Sequence, residues 1–202
     1  MIFDKAAPFQ ERSQALYELT LGKKAARQHA RRVLLQIALD QTETVEIRHS
    51  ALCHLSVLFS NRSTRPLLPL LLDKDAPWEL RAEAAHVLGM ASEHRPFAIR
   101  ALKSAWKTAP PQVRFYIAYA LAKHGGQQAI PLLRESINDY TPAPDLWWTL
   151  AQECRWAILC CRDAIRDGAS DPEDPAFLSP AWEQETQFFR AKGRRLFPRN
   201  CR

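Results

Sequence analysis

The sequence lacks both a long apolar run and the pattern of a secretory leader. Apolar runs such as Leu67 to Leu72 are far short of the roughly 20 residues that a membrane-spanning helix needs. The residues from Met1 to Lys5 do not begin a basic stretch followed by an apolar one. With 47% hydrophobic and 25% charged residues over 202 positions, the chain is predicted to be a globular cytoplasmic protein with a sizeable core.

Paired cysteine motifs are also missing. The five cysteines stand at positions 53, 154, 160, 161 and 201, and no CxxC pair occurs among them. Zinc sites and disulfide frameworks are typically built on such spacings, and Cys53-His54 has no matching second half. The pattern predicts that the first four are small buried thiols in a reducing compartment. Neither a metal site nor a cofactor is predicted.

A repeated helical pattern is present instead, and its period predicts the fold. An apolar residue followed by arginine recurs every 33 residues, at Ile47-Arg48, Leu80-Arg81 and Val113-Arg114. Apolar or small residues return three and seven places after each arginine, which puts them on one helical face. A second apolar segment precedes each of these helices in a similar rhythm. Two helices in a repeat of about 30 residues are typical of an α-solenoid.

About four antiparallel helix pairs are predicted over residues 24–166. Their bounds are 24–39 with 43–59, 65–73 with 77–91, 94–107 with 110–124, and 127–138 with 145–166. Breaks that contain proline, glycine or charged residues separate the helices. A helix near 9–20 and another near 179–195 are expected to cap the ends. The second belongs to the C-terminal segment 167–202, which is predicted to consist of an acidic loop followed by the capping helix and a basic tail. The whole chain, 1–202, is therefore predicted to be one all-α domain.

One segment has a familiar form. Residues 80–89, LRAEAAHVLG, resemble the second helix of a HEAT repeat, in the short form found in bilin-lyase-type HEAT proteins. In HEAT repeats a proline interrupts the first helix, as Pro69 and Pro131 do here. An aspartate before the second helix pairs with its arginine, and Asp75 stands in that place before Arg81. The resemblance implies an α-solenoid.

The resemblance covers about residues 43–138 and says little about function, because such repeats occur in scaffolds, adaptors and some enzymes. An arginine that recurs at one helical position is expected to tie one repeat to the next through inter-helix hydrogen bonds. Arg48, Arg81 and Arg114 are therefore interpreted as structural residues.

The concave face of a solenoid is normally built from its second helices, so residues there that lie off the buried stripe are candidate partner contacts. These residues, the predicted groove, are His49, His86, Tyr116, Tyr119, Lys123, Trp148 and Gln152. Aromatic enrichment with few charges is typical of the centre of a protein-binding patch. Phe115 and Trp156 also lie off the stripe but are expected to pack against neighbouring repeats. The first hypothesis is a non-enzymatic scaffold or adaptor that binds a protein or peptide.

The net charge of +6 is unevenly distributed. A segment without acids supplies candidate phosphate contacts, which are Lys23, Lys24, Arg27, Arg31 and Arg32. Lys23, Arg27 and Arg31 are spaced i, i+4, i+8, so they share a helix face that can follow a phosphate backbone. The alternative hypothesis is a sequence-insensitive nucleic-acid-binding solenoid.

Enzyme signatures such as GxSxG, HExxH, a P-loop or GxGxxG are missing. The chain resembles HEAT-like DNA alkylation-repair glycosylases in size, basic charge and tryptophan content. Those enzymes pair a tryptophan with an aspartate four residues later, and none of the six tryptophans here has that aspartate. No catalytic residue is predicted, and glycosylase-like activity is kept as the main enzyme alternative.

Overall fold

The structure is a computed structural model that describes residues 2–22, 26–58, 65–90, 95–142 and 149–162. Within these ranges the chain forms nine α-helices, and the β-type pairing there is an isolated bridge between Pro142 and Thr149. The predicted all-α, α-solenoid class is confirmed. The chain divides into two compact units, Met1–Ile117 and Ala118–Arg202. None of the described helices has the length and apolar character to cross a membrane.

The first unit begins with helix α1 (Phe9–Thr20), as predicted, and continues in helix pairs. These pairs are α2 (Arg27–Leu39) with α3 (Val45–Leu58), α4 (Leu68–Leu72, after a 3-10 turn at Arg65–Leu67) with α5 (Trp78–Met90), and α6 (Arg95–Trp106) with α7 (Pro111–His124). Helix α3 packs against α1, α2 and α5, and α5 also packs against α4 and α6. The unit ends within α7, at Ile117.

The apolar stripe that defines the repeat is buried on all three second helices. Ile47, Leu80 and Val113, which precede the repeated arginines, are among the core residues. The positions three and seven places after each arginine are buried as well. The helical periodicity therefore predicts correctly which face of each second helix enters the core.

The second unit continues from α7 through a glycine turn. A Cβ on Gly125 would lie 2.7 Å from the carbonyl oxygen of Leu121, and Gly126 has a φ of 52°. Both positions thus require glycine. A 3-10 turn at Gly126–Ala129 and helix α8 (Ile130–Arg134) follow, and α8 packs against α9 (Leu150–Cys161).

Helix α9 begins later than predicted, at Leu150 instead of residue 145. The cause is a capping box: Thr149 Oγ1 accepts the backbone N–H of Gln152, whose Oε1 accepts the backbone N–H of Thr149 at 2.9 Å. Such a reciprocal pair fixes the first helical turn. The predicted continuation of this helix to 166 and the capping helix near 179–195 lie outside the described residues.

Arginine side chains connect each of these second helices to the helix before it. The Nε atoms of Arg48, Arg81 and Arg114 donate to the carbonyl oxygens of Ala38, Leu71 and Trp106, at 3.1, 3.3 and 3.1 Å. Carbonyls at helix ends lack intrahelical partners, and a cation is favoured near them by the helix dipole. The expected inter-helix hydrogen bonds are present, but they join the two helices of one pair rather than one repeat to the next.

Aspartates shape the ends of α2 and α4. Asp40 Oδ1 accepts the backbone N–H of Thr42 at 2.9 Å, and Asp73 Oδ1 accepts that of Asp75 at 3.0 Å. Each aspartate thus forms an Asx turn directly after the helix. The turn draws off the N–H group that would otherwise continue the helical ladder, so the helix-end carbonyl is left for arginine.

The pairing of Asp75 with Arg81 expected from the HEAT resemblance is wrong. Among the described residues no ion pair joins these two side chains, because the Asx turn holds Asp75 by its backbone N–H beyond the helix end. Asp73 is the acid that influences the arginine. Burial lowers the pKa of Arg81, and the charge of Asp73 acts in the opposite direction.

Helix α1 contains a further arginine of this kind. Arg12 donates to the carbonyl oxygen of Ile2 through Nε and Nη2, at 3.1 and 3.0 Å. Its Nη2 also lies 2.6 Å from Glu43 Oε1, and both side chains are only 3% exposed. This buried ion pair ties α1 to the loop between α2 and α3.

Replacing Arg48 by methionine should lower the free energy of unfolding by about 1.5–3 kcal/mol, because the Ala38 carbonyl loses a charged donor. Urea denaturation followed by circular dichroism measures the loss. Arg100→Met, at an exposed position on α6, is the matched control and should change stability by less than about 0.5 kcal/mol. Equal effects of the two substitutions would contradict a structural role for Arg48.

Replacing Arg12 by methionine should destabilise the chain by about 3–5 kcal/mol, because the Glu43 carboxylate stays buried without its cation. Thermal and urea unfolding report the change. The double variant Arg12→Met/Glu43→Leu removes both charges and should recover most of the lost stability. A double variant no more stable than Arg12→Met would show that the ion pair is not the source of the effect.

Candidate functional site

A polar cluster lies between α3 and α5 in the first unit. His49 and Cys53 are four residues apart on α3 and so share one helical face, and Glu83 comes from α5. A ring nitrogen, the thiol sulfur and a carboxylate oxygen of these residues all lie within 4.8 Å of one another. Cys53 Sγ is 3.9 Å from both ring nitrogens of His49. These three residues are named the His49–Cys53–Glu83 cluster.

Glu83 brings a buried carboxylate into the cluster. It is 7% exposed, and its Oε1 accepts from His86 Nδ1 at 3.0 Å. In the described part of the chain no lysine or arginine forms an ion pair with Glu83. Burial, and in second place the charge of Glu83, raise the pKa of the Cys53 thiol to about 12. The cluster therefore has negative potential and donor atoms of three kinds.

Half-exposed and exposed apolar groups flank the cluster. The ring centroids of His86 and Tyr116 are 6.1 Å apart, and Tyr116 meets Phe115 edge to face at 5.5 Å. Val57, one helical turn after Cys53 on α3, is 73% exposed, and Met90, two turns after Glu83 on α5, is 39% exposed. Phe115 is buried, as expected, while Tyr116 is only half-buried.

The second unit contains its own aromatic set. Tyr119 stacks on Trp156 with centroids 6.1 Å apart and planes 19° apart, and Lys123 Nζ lies 4.8 Å from the Tyr119 centroid. The ammonium thus makes a cation–π contact. Burial, followed by the charge of Glu153, raises the pKa of Tyr119 to about 12. Burial also lowers the pKa of Lys123. Trp156 is fully buried, as expected.

Comparison with known families agrees with this arrangement of helix pairs. A family model described as HEAT repeats matches residues 64–146, the segment that contains α4 to α8. The chain contains HEAT repeats. No curated protein matches the chain. The bond from Arg48 to Ala38 lies before the matched segment and has the same form as the bonds within it.

The residues of the predicted groove fall in both units. His49, His86 and Tyr116 belong to the first unit, and Tyr119, Lys123 and Gln152 belong to the second. Each of these side chains is partly exposed. Gln152 also has a structural role, because its side-chain Oε1 completes the capping box of α9. Trp148 lies outside the described residues.

The candidate phosphate contacts on α2 do not behave alike. Arg27 and Arg32 are exposed, whereas Arg31 is half-buried and its Nη2 donates to the carbonyl oxygen of Leu58 at 2.8 Å. Arg31 thus connects α2 to the end of α3. Lys23, Lys24 and the C-terminal basic tail lie outside the described residues.

The cysteine spacing did not predict the His49–Cys53–Glu83 cluster, because Cys53 is not part of a CxxC pair. The sequence signal for this cluster is a pair of helical spacings on neighbouring second helices. His49 and Cys53 at i, i+4 on one second helix face Glu83 and His86 at i, i+3 on the next. Spacings of three and four place side chains together on one helix, and the packing of α3 on α5 supplies the rest.

The free energy of unfolding should fall between pH 10 and 12 because of the raised pKa of Tyr119. Its pKa of about 12 in the folded chain lies above the ordinary value of 10.0, so the unfolded chain releases this proton first and unfolding is favoured as the pH rises through that window. Tyr119→Phe removes the effect and should lose less unfolding free energy over the same range. Urea denaturation at the two pH values measures the difference.

The control for this titration is Tyr17→Phe, which removes an exposed phenol on α1. This variant keeps the Tyr119 phenol and should still lose stability between pH 10 and 12. An identical loss of stability in Tyr119→Phe and Tyr17→Phe would show that Tyr119 does not titrate late.

Proposed function

We propose that this chain is a non-enzymatic scaffold or adaptor that binds a segment of a protein partner along its second helices. The observation that carries the proposal is the row of accessible apolar and ring side chains on these helices in the first unit. Val57, Met90, His86 and Tyr116 belong to this row, the second-helix face. Methionine and aromatic side chains are enriched at the centres of protein interfaces, and charged ones are depleted there.

The first helices of the same pairs present a different surface. Along α2 the exposed positions include Gln28, Arg32 and Gln36, and along α6 they include Arg100 and Ser104. The exposed leucines of the first helices, Leu39 and Leu72, stand at the C-terminal ends of α2 and α4. The polar side chains along α2 and α6 are typical of a solvated helix face. The contrast supports the second-helix face as the partner-binding side.

The chemistry of the second-helix face favours a protein over a nucleic acid. A phosphate backbone is bound mainly through lysine and arginine. On the second helices of the first unit these residues are Arg48, Arg81 and Arg114, and each donates to a carbonyl of the preceding helix. On α2, Arg31 is engaged with the Leu58 carbonyl, which leaves Arg27 and Arg32 as the exposed arginines of that helix. A protein segment with apolar side chains is the better complement for this face.

A photo-crosslinking amino acid placed at Val57 or at Met90 should capture the same protein, because both positions lie on the second-helix face. The test irradiates cells that produce each variant and identifies the adducts by mass spectrometry. Adding Tyr116→Ala should weaken both adducts by about tenfold or more, as expected for truncation of an interface hot spot. Circular dichroism checks that the Tyr116→Ala chain remains folded.

The matched controls are crosslinkers at Leu39 and Leu72, which are 37% and 41% exposed at the ends of the first helices α2 and α4. Neither should capture this partner. Equal capture at the control positions, or adducts that Tyr116→Ala leaves unchanged, would contradict the proposal. Adducts that disappear on nuclease treatment would replace it with the nucleic-acid hypothesis.

A further inference from the structure

We propose that His49, Cys53 and Glu83 bind one zinc ion between α3 and α5. The proposal does not rest on the scaffold function, since it follows from the donor atoms and charges of the His49–Cys53–Glu83 cluster alone. It assigns to this chain a metal site that its cysteine spacing does not predict.

The donor set selects the metal. Imidazole nitrogen, thiolate sulfur and carboxylate oxygen are the three donor types that zinc accepts in proteins. Magnesium and calcium prefer sites made of oxygen alone, and a sulfur donor favours softer ions. Zinc is therefore a physiological divalent ion that matches all three ligands.

The geometry is close to what zinc needs. In a tetrahedral site with bonds of about 2.0–2.3 Å, the ligand atoms lie roughly 3.3–3.7 Å apart. The cluster atoms lie within 4.8 Å of one another, so the site closes by a contraction of about 1 Å. His49 and Cys53 are only partly buried, and rotation about their side-chain bonds can supply this movement without displacing the helices.

The electrostatics favour a cation at this position. A carboxylate as buried as that of Glu83 costs free energy unless a charge compensates it, and among the described residues its polar partner is the imidazole of His86. A zinc ion would compensate the carboxylate and the thiolate together. As the zinc–sulfur bond forms, the thiol proton leaves to the solvent.

His86 holds the carboxylate in place. Its Nδ1 lies 3.0 Å from Glu83 Oε1, the contact by which outer groups orient a metal-binding carboxylate. His86 is therefore a positioning residue, and zinc has three protein ligands. The fourth coordination position is left for water or for a donor from another molecule.

Cobalt substitution tests the site directly. The full chain, without a tag and freed of metal, is titrated with Co²⁺ and then with Zn²⁺. One equivalent of Co²⁺ should give a thiolate-to-cobalt charge-transfer band in the near ultraviolet and intense visible bands of a tetrahedral site, and Zn²⁺ should abolish both. No saturable band in the unaltered chain would overturn the proposal.

Variants assign the ligands. Cys53→Ser should remove the charge-transfer band, while His49→Ala and Glu83→Gln should each weaken Zn²⁺ binding by about tenfold or more. His86→Ala should keep the charge-transfer band and weaken binding by about 10–100-fold. Cys160→Ser, which removes a thiol from α9, is the matched control and should leave the spectrum unchanged.

Folding of each variant is checked by circular dichroism. Glu83→Gln keeps the shape of the side chain, so it separates loss of the metal ligand from loss of structure. A charge-transfer band that survives Cys53→Ser, or one that disappears in Cys160→Ser, would place the metal elsewhere and overturn the proposed site.

Discussion

The hydrogen bond from an arginine Nε to a carbonyl of the preceding segment is the interaction on which the repeat arrangement depends. Each arginine that makes this bond stands at the fourth position of its helix, where its backbone N–H donates to the carbonyl of the residue before the helix. The four pairs are Arg12 with Pro8, Arg48 with Thr44, Arg81 with Pro77 and Arg114 with Pro110. The guanidinium therefore projects from a fixed place near the helix start. Since it reaches a carbonyl at the end of the preceding segment, it constrains how the two elements meet.

The geometry of the His49–Cys53–Glu83 cluster depends on the arginine–carbonyl hydrogen bonds of α3 and α5. His49 and Cys53 lie one and five residues after Arg48, and Glu83 lies two residues after Arg81. With both arginines anchored to a preceding helix end, α3 and α5 are held in matching registers. Side chains just off the buried stripe are thereby brought together. A structural bond with no ligand role thus determines where the donor atoms of the His49–Cys53–Glu83 cluster lie.

The 33-residue period was enough to predict the helix pairs and the buried stripes, because burial of a helical face dominates the sequence pattern. It did not reveal Arg12, which precedes Arg48 by 36 residues and so falls outside the period. The late start of α9 was missed because the capping box of Thr149 and Gln152 is a local signal independent of periodicity. The cluster was missed because its members come from two helices, and their approach depends on packing.

The residue two places after each repeated arginine shows that the fold itself does not require a carboxylate at Glu83. In the preceding repeat this position is Ser50, whose hydroxyl is satisfied by Ser13 at 3.0 Å. In the following repeat it is Tyr116, which packs edge to face on Phe115. A serine or a tyrosine therefore occupies the equivalent position in the neighbouring repeats, and neither side chain has the free-energy cost of burying a charge. What distinguishes Glu83 is its position opposite His49 and Cys53, where a buried carboxylate held by His86 can compensate the charge of a cation.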